Sequence, residues 1–209
     1  ISFISNETEF DFLIKTLTEL SLFASIGEQI INAMNKYDCL KCISQLDDFY
    51  KDDKLILCIF DLLKFWMIQP NDGKEMIFLF LKCIDFIYIF NNLSFLAKKK
   101  AIRILRLAIS TDFELQTCQM IDILNFDLFN NILDQIIDSD DSDFSYDGCF
   151  LIWGLKDQLR ETQFCEKLRE CLMIQEFGQY LESVIESGEG DRIKIANDLL
   201  SFIDEGKNK

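Results

Sequence analysis

The chain has 209 residues, a mass of 24.5 kDa and a net charge of −15, and 49% of it is apolar, including 20 phenylalanines. With one proline and eight glycines it has too few breakers for an all-β fold, which needs turn signals about every 8–12 residues. It contains no histidine, which removes the commonest general base and the commonest ligand of a catalytic zinc.

Helical periodicity runs almost throughout. Asn6 caps a helix with Glu7 and Glu9 in its first turn, ending near Phe23. A short helix is predicted from Gly27 to Asn35, then one from Asp38 to Tyr50 and one from Asp52 to Gln69, closed by the turn Pro70-Asn71-Asp72-Gly73. Helices over 74–91 and 94–110 follow, and Thr111 with Glu114 forms a capping box that opens 112–125. A helix from Asp127 to Asp138 leads into Ser139–Asp147, SDDSDFSYD, the one evident exposed loop. Helices over 162–173 and 175–187 precede the turn Ser187-Gly188-Glu189-Gly190, and Asp191 opens the last helix. No break reads as an interdomain linker, so residues 1–205 are expected to form one helical-repeat domain, with 206–209 as a frayed tail.

The most apolar run, Met76 to Phe90, carries Lys82 and Asp85 and falls short of the roughly 20 residues of a membrane span; it reads as a helix buried among others. No signal-peptide pattern is read in these residues, and a chain that starts at Ile1 reads as a fragment or a processed product, which leaves room for a targeting segment ahead of it. The eight cysteines (39, 42, 58, 83, 118, 149, 165 and 171) mostly sit in apolar stretches, where free Cys behaves as a small buried hydrophobe. A reducing, intracellular setting follows, cytoplasmic or nuclear. Cys39 and Cys42 form a C-x-x-C that lacks the second pair of a zinc site and the βαβ surroundings of a redox pair. It reads as two residues of an ordinary helix.

One helical frame recurs. An anchor is followed by apolar residues at +3, +4 and +7, starting at Ile59 (Leu62, Leu63, Trp66), Ala101 (Ile104, Leu105, Ala108), Gly148 (Leu151, Ile152, Leu155) and Ala196 (Leu199, Leu200, Ile203). The anchors are 42, 47 and 48 residues apart, and periods of about 40–47 residues mark armadillo and HEAT arrays. Leu40, Phe129 and Phe177 each lie at or near the start of a preceding helix, 19 residues before an anchor. The best copies, FNNILDQIIDSDDSDFSYDGCFLIWGL and FGQYLESVIESGEGDRIKIANDLLSFI, read as helix, acidic turn, helix. That arrangement resembles the second and third helices of an armadillo repeat. Tyr146 to Leu155 resembles the third helix of an importin-alpha repeat, and 177–203 is similar to that family's final repeat.

The resemblance implies an all-α fold, a right-handed α-solenoid of armadillo or HEAT type with four to five repeats. It does not carry the family's peptide reading. The positions that hold its Trp, at +2 from the anchors, are Asp61, Arg103, Phe150 and Asp198 here, and those that hold its Asn, at +6, are Phe65, Leu107, Gly154 and Phe202.

Charge is uneven. Residues 1–106 hold 13 Lys and Arg against 14 Asp and Glu, a net of −1; residues 107–209 hold 8 against 22, a net of −14. This disfavours nucleic acid and anionic membranes as partners and fits a basic segment steered to the acidic half. Asp140, Asp141, Asp143 and Asp147 are candidate partner-binding residues of the acidic loop; they lack the glycine and terminal glutamate of an EF-hand, and a solvated face is the alternative. Lys99, Arg103 and Arg106 share a helical face at i, i+4, i+7, beside Lys98 and Lys100. They are the candidate site for an acidic segment or a phosphate, the alternative being a face paired with neighbouring acids.

No nucleophile–base pair, phosphate loop or metal-ligand cluster emerges, so neither cofactor nor metal is expected. The expected role is a non-catalytic protein-binding scaffold or adaptor within a larger assembly. Alternatives are a divergent importin-alpha-like transport adaptor and a compact helical regulatory subunit of an enzyme complex.

Overall fold

The computed structural model describes residues 7–24, 39–45, 48–68, 74–110, 126–159 and 164–207. Eleven α-helices and one 3₁₀ turn, and no strand, occur among the described residues. None of these helices is long and apolar enough to cross a membrane. The chain divides into two compact units, Ile1–Phe113 and Glu114–Lys209.

The first unit contains α1 (Glu7–Ala24), α2 (Cys39–Ser44), a 3₁₀ turn (Phe49–Lys51), α3 (Asp53–Ile68), α4 (Lys74–Leu81), α5 (Phe86–Asn92) and α6 (Phe95–Ser110). Helix α3 packs against both α1 and α6, and α2 packs on α4. The apolar spacing explains why. Ile59, Leu62 and Leu63 of α3 and Ala101, Ile104, Leu105 and Ala108 of α6 are all buried, and the alanines let the two backbones approach. The helix starts are tied together: Asp52 caps α3 by accepting from Leu55 N–H at 2.9 Å. Asp53 accepts from both the backbone N–H (2.9 Å) and the hydroxyl (2.8 Å) of Ser94. Ser94 in turn accepts from Ala97 N–H at 3.3 Å at the start of α6.

Two predicted helices are interrupted. The stretch expected over 74–91 breaks at Lys82–Asp85, because Asp85 turns its carboxylate to Tyr88 N–H (3.0 Å) and caps a new helix. The stretch expected over 38–50 ends at Ser44; Asp48 takes a left-handed backbone (φ 55°), and only a 3₁₀ turn follows. Its Phe49 stacks on Phe80 at 5.4 Å, which extends the core. The predicted helices at 27–35 and 112–125, and the Pro70–Gly73 turn, lie outside the described residues.

The second unit contains α7 (Phe126–Ile137), α8 (Ser142–Leu159), α9 (Phe164–Leu172), α10 (Gln175–Ser187) and α11 (Asp191–Lys207). Helices α7 and α8 form one hairpin, α10 and α11 a second. The hairpins stack like on like, α7 on α10 and α8 on α11, and α9 packs on α8 and α11. The frame residues Leu151, Ile152, Leu155, Ala196, Leu199 and Ile203 make the seam. Arg169 fastens α9 to it from a buried position. Its Nε–H donates to the Phe202 carbonyl at 3.0 Å, its carbon lies 4.4 Å from the Phe202 ring centre, and Glu166 pairs with it at 2.6 Å.

Candidate functional site: the α8–α11 face and its cavity

The expected acidic loop is mostly helix. Helix α8 starts at Ser142, because Asp141 accepts from Asp143 N–H (3.1 Å) and Phe144 N–H (2.8 Å) as its cap. Asp143 lies in the first turn, 3.5 Å from Arg192 of α11. Asp147 is only 5% exposed inside α8 and cannot belong to an exposed loop. Asp140 alone of the four remains on an exposed turn.

The basic stripe lies on α6 in the first unit. Arg103 is exposed, whereas Lys99 and Arg106 are half-buried. Their neighbour Lys100 reaches across to Asp61 of α3 at 2.6 Å. One +2 position of the frame is therefore spent on an ion pair between stacked helices. Another is spent likewise: Asp198 accepts from the indole N–H of Trp153 at 2.5 Å and from Lys156, a lysine only 8% exposed.

The third +2 residue in play, Phe150, belongs to a stripe that the sequence reading passed over. Tyr146, Phe150 and Trp153 are all half-buried on α8. Their rings meet edge to face, Tyr146–Phe150 at 6.2 Å and Phe150–Trp153 at 5.4 Å. The i, i+4, i+7 spacing was the available signal. Helix α11 borders the stripe at both ends: the Arg192 guanidinium lies 5.3 Å from the Tyr146 ring centre, and Asp198 holds Trp153.

Beside Tyr146 a cavity of about 360 Å³ opens among α8, α10 and α11 and the two hairpin turns. Its wall includes Ser145, Cys149, Tyr180, Ser183, Ser187 and Arg192. Burial pushes the Cys149 thiol up to about 12. The Tyr180 hydroxyl is raised by burial first and by Cys149 second, and it hydrogen-bonds with both Ser145 and Cys149. Both groups therefore stay protonated at neutral pH and act as wall, not as nucleophile or base. Two serine protons are committed to backbone, Ser183 to Tyr180 O (2.7 Å) and Ser187 to Ser183 O (2.7 Å), while the Ser145 hydroxyl is shared between Ile136 O (3.3 Å) and Tyr180.

Cys39 is half-buried and Cys42 exposed on α2. No group of three or more His, Cys, Asp or Glu placed to hold a metal occurs among the described residues. Compared with protein-family models, curated proteins and solved structures, the chain matches none.

Proposed function

We propose that this chain is a non-catalytic protein-binding scaffold or adaptor built as a right-handed armadillo- or HEAT-type solenoid of four to five repeats. The observation that carries the reading is the like-on-like stacking of the hairpins α7–α8 and α10–α11, whose starts are 49 residues apart. The stacking of α3 on α6 supports it. Each such unit buries its apolar stripe against a neighbour and leaves its other faces for partners. Within the second unit the half-buried Tyr146–Phe150–Trp153 stripe supplies the residue types that dominate binding energy at protein interfaces.

Two measurements test this. A compact globule of this length would have a radius of gyration of about 17 Å; a solenoid gives a distinctly larger value in solution scattering, and a value near 17 Å overturns it. Affinity capture from native extract, repeated with Phe150→Ala and Trp153→Ala and separately with Lys99, Arg103 and Arg106 reversed in charge, then assigns the face. Loss of partners with the aromatic pair places binding on α8, and loss with the reversed cations places it on α6. Unchanged partners in both arms remove both faces.

A further inference from the structure

We propose that the cavity among α8, α10 and α11 is a binding site for an organic cation, an alkylammonium or guanidinium group, presented on a basic peptide segment or on a free polyamine. The size suits such a ligand, since pockets of about 300–1,000 Å³ take small molecules and this one measures about 360 Å³.

The chemistry of the wall selects the cation. A serine hydroxyl has one proton and two lone pairs. Ser183 and Ser187 each give that proton to a backbone carbonyl, so what they turn to a ligand is lone pairs. Asp140 adds a carboxylate at the mouth. An ammonium carries three donors and a guanidinium five, with no acceptor in either, which complements the Ser183 and Ser187 lone pairs and the Asp140 carboxylate.

The field points the same way. Both hairpin turns border the cavity, and, apart from Asp141 and Asp143, which are engaged at the start of α8, they carry Asp138 and Asp140 in one, Glu186, Glu189 and Asp191 in the other. Arg192, the cation in the wall, is already opposed by Asp143 and rests on the Tyr146 ring. It marks this mouth as a place where a guanidinium sits well, and it leaves the acidic excess of the turns for a second positive charge. The proposal rests on the scaffold reading only for the peptide as a source of that charge.

Titration calorimetry of the full chain at low salt tests it with three probes: putrescine, a blocked glycine peptide carrying one lysine, and 1,4-butanediol as the neutral analogue. At least one of the two cations is expected to bind and butanediol is not, and the tighter cation identifies the source. Ser183→Phe and Ser187→Phe, which fill the cavity from α10, are expected to weaken binding about tenfold or more, a loss of about 1.4 kcal/mol. Asp140→Lys, on an exposed turn with no folding burden, weakens it as well, and Glu170→Lys on α9 leaves it unchanged. Equal binding of butanediol, no binding of either cation, or cation binding undiminished in both filled variants and in Asp140→Lys overturns the proposal. The titrations need no macromolecular partner, so their failure leaves the scaffold reading standing, and a failed partner search leaves the cation site standing.

Discussion

Cys149 and Arg169 hold buried polar groups in the second unit, and each makes a measurable difference. Burial pushes the Cys149 thiol up to about 12 from its ordinary value of 9.0. The unfolded chain therefore loses this proton first as pH rises, and the folded state holds it longer. Stability falls as pH rises from about 9 towards 12; below pH 9 the group contributes no slope. Urea unfolding across that window is expected to flatten in Cys149→Ala relative to wild type. Alkylation at pH 8 read by mass spectrometry is expected to label the exposed Cys42 and Cys83 and to spare Cys149 until the chain unfolds. Arg169 presents a different case, because its acidic partners Glu166 and Glu205 are exposed while the guanidinium is not. Arg169→Ala removes a charged hydrogen bond to the Phe202 carbonyl and the packing on the Phe202 ring. A loss of about 2–3 kcal/mol is expected in urea denaturation.

Helix starts and stops are set by short side chains whose effect on neighbours is only partly written in the sequence. Most frame positions were legible, because a 3.6-residue period maps onto a buried stripe: Ile59, Leu62, Leu63, Ala101, Ile104, Leu105, Ala108, Ala196, Leu199 and Ile203 are core residues, whereas Leu200 is half-buried. Asp85 was not. Its carboxylate sits inside a run whose hydropathy reads as one continuous helix, and only the turn Lys82–Asp85 reveals it as a cap. The same limit applies to the acidic segment at 139–147. Four aspartates there read as a loop by composition, yet one caps α8, one pairs with Arg192 and one is buried. The Asp53–Ser94 tie was invisible for another reason, since it joins residues 41 apart in sequence. Asp53→Asn and Ser94→Ala are each expected to cost about 1 kcal/mol, and a double-mutant cycle is expected to show them non-additive, as residues sharing one bond are. In the α10–α11 turn two glycines serve different ends. A Cβ on Gly188 would lie 2.4 Å from the Val184 carbonyl, while Gly190 has φ of 55° with open space around it. Gly190→Ala is expected to cost about 1 kcal/mol through its backbone alone, and Gly188→Ala more, because the last turn of α10 must move. Thermal denaturation of the two variants ranks them.

For the molecule as a whole, charge and repetition point to the second half, residues 107–209, with its net of −14. Association with a basic partner is expected to slow steeply between about 0.01 and 0.15 M salt, as the Debye length shrinks from roughly 30 to 8 Å. Stopped-flow rates measure it, and a salt-independent rate contradicts electrostatic steering. The cavity could not be found from composition, since it needs α8, α10 and α11 side by side, whereas the aromatic stripe lies on α8 alone and its spacing was there to be read. The period made that neighbourhood predictable, but the hydroxyl directions that give the cavity its character depend on the packing itself. The indole of Trp153 has a further consequence. The chain has two tryptophans, and this one hydrogen-bonds to a carboxylate on the next hairpin at the edge of the stripe. With Trp66 replaced by Phe, its emission becomes an optical gauge of the α8–α11 seam: a molecule that settles on the stripe, or a strain that slides one hairpin along the other, would register as a shift in colour without any label.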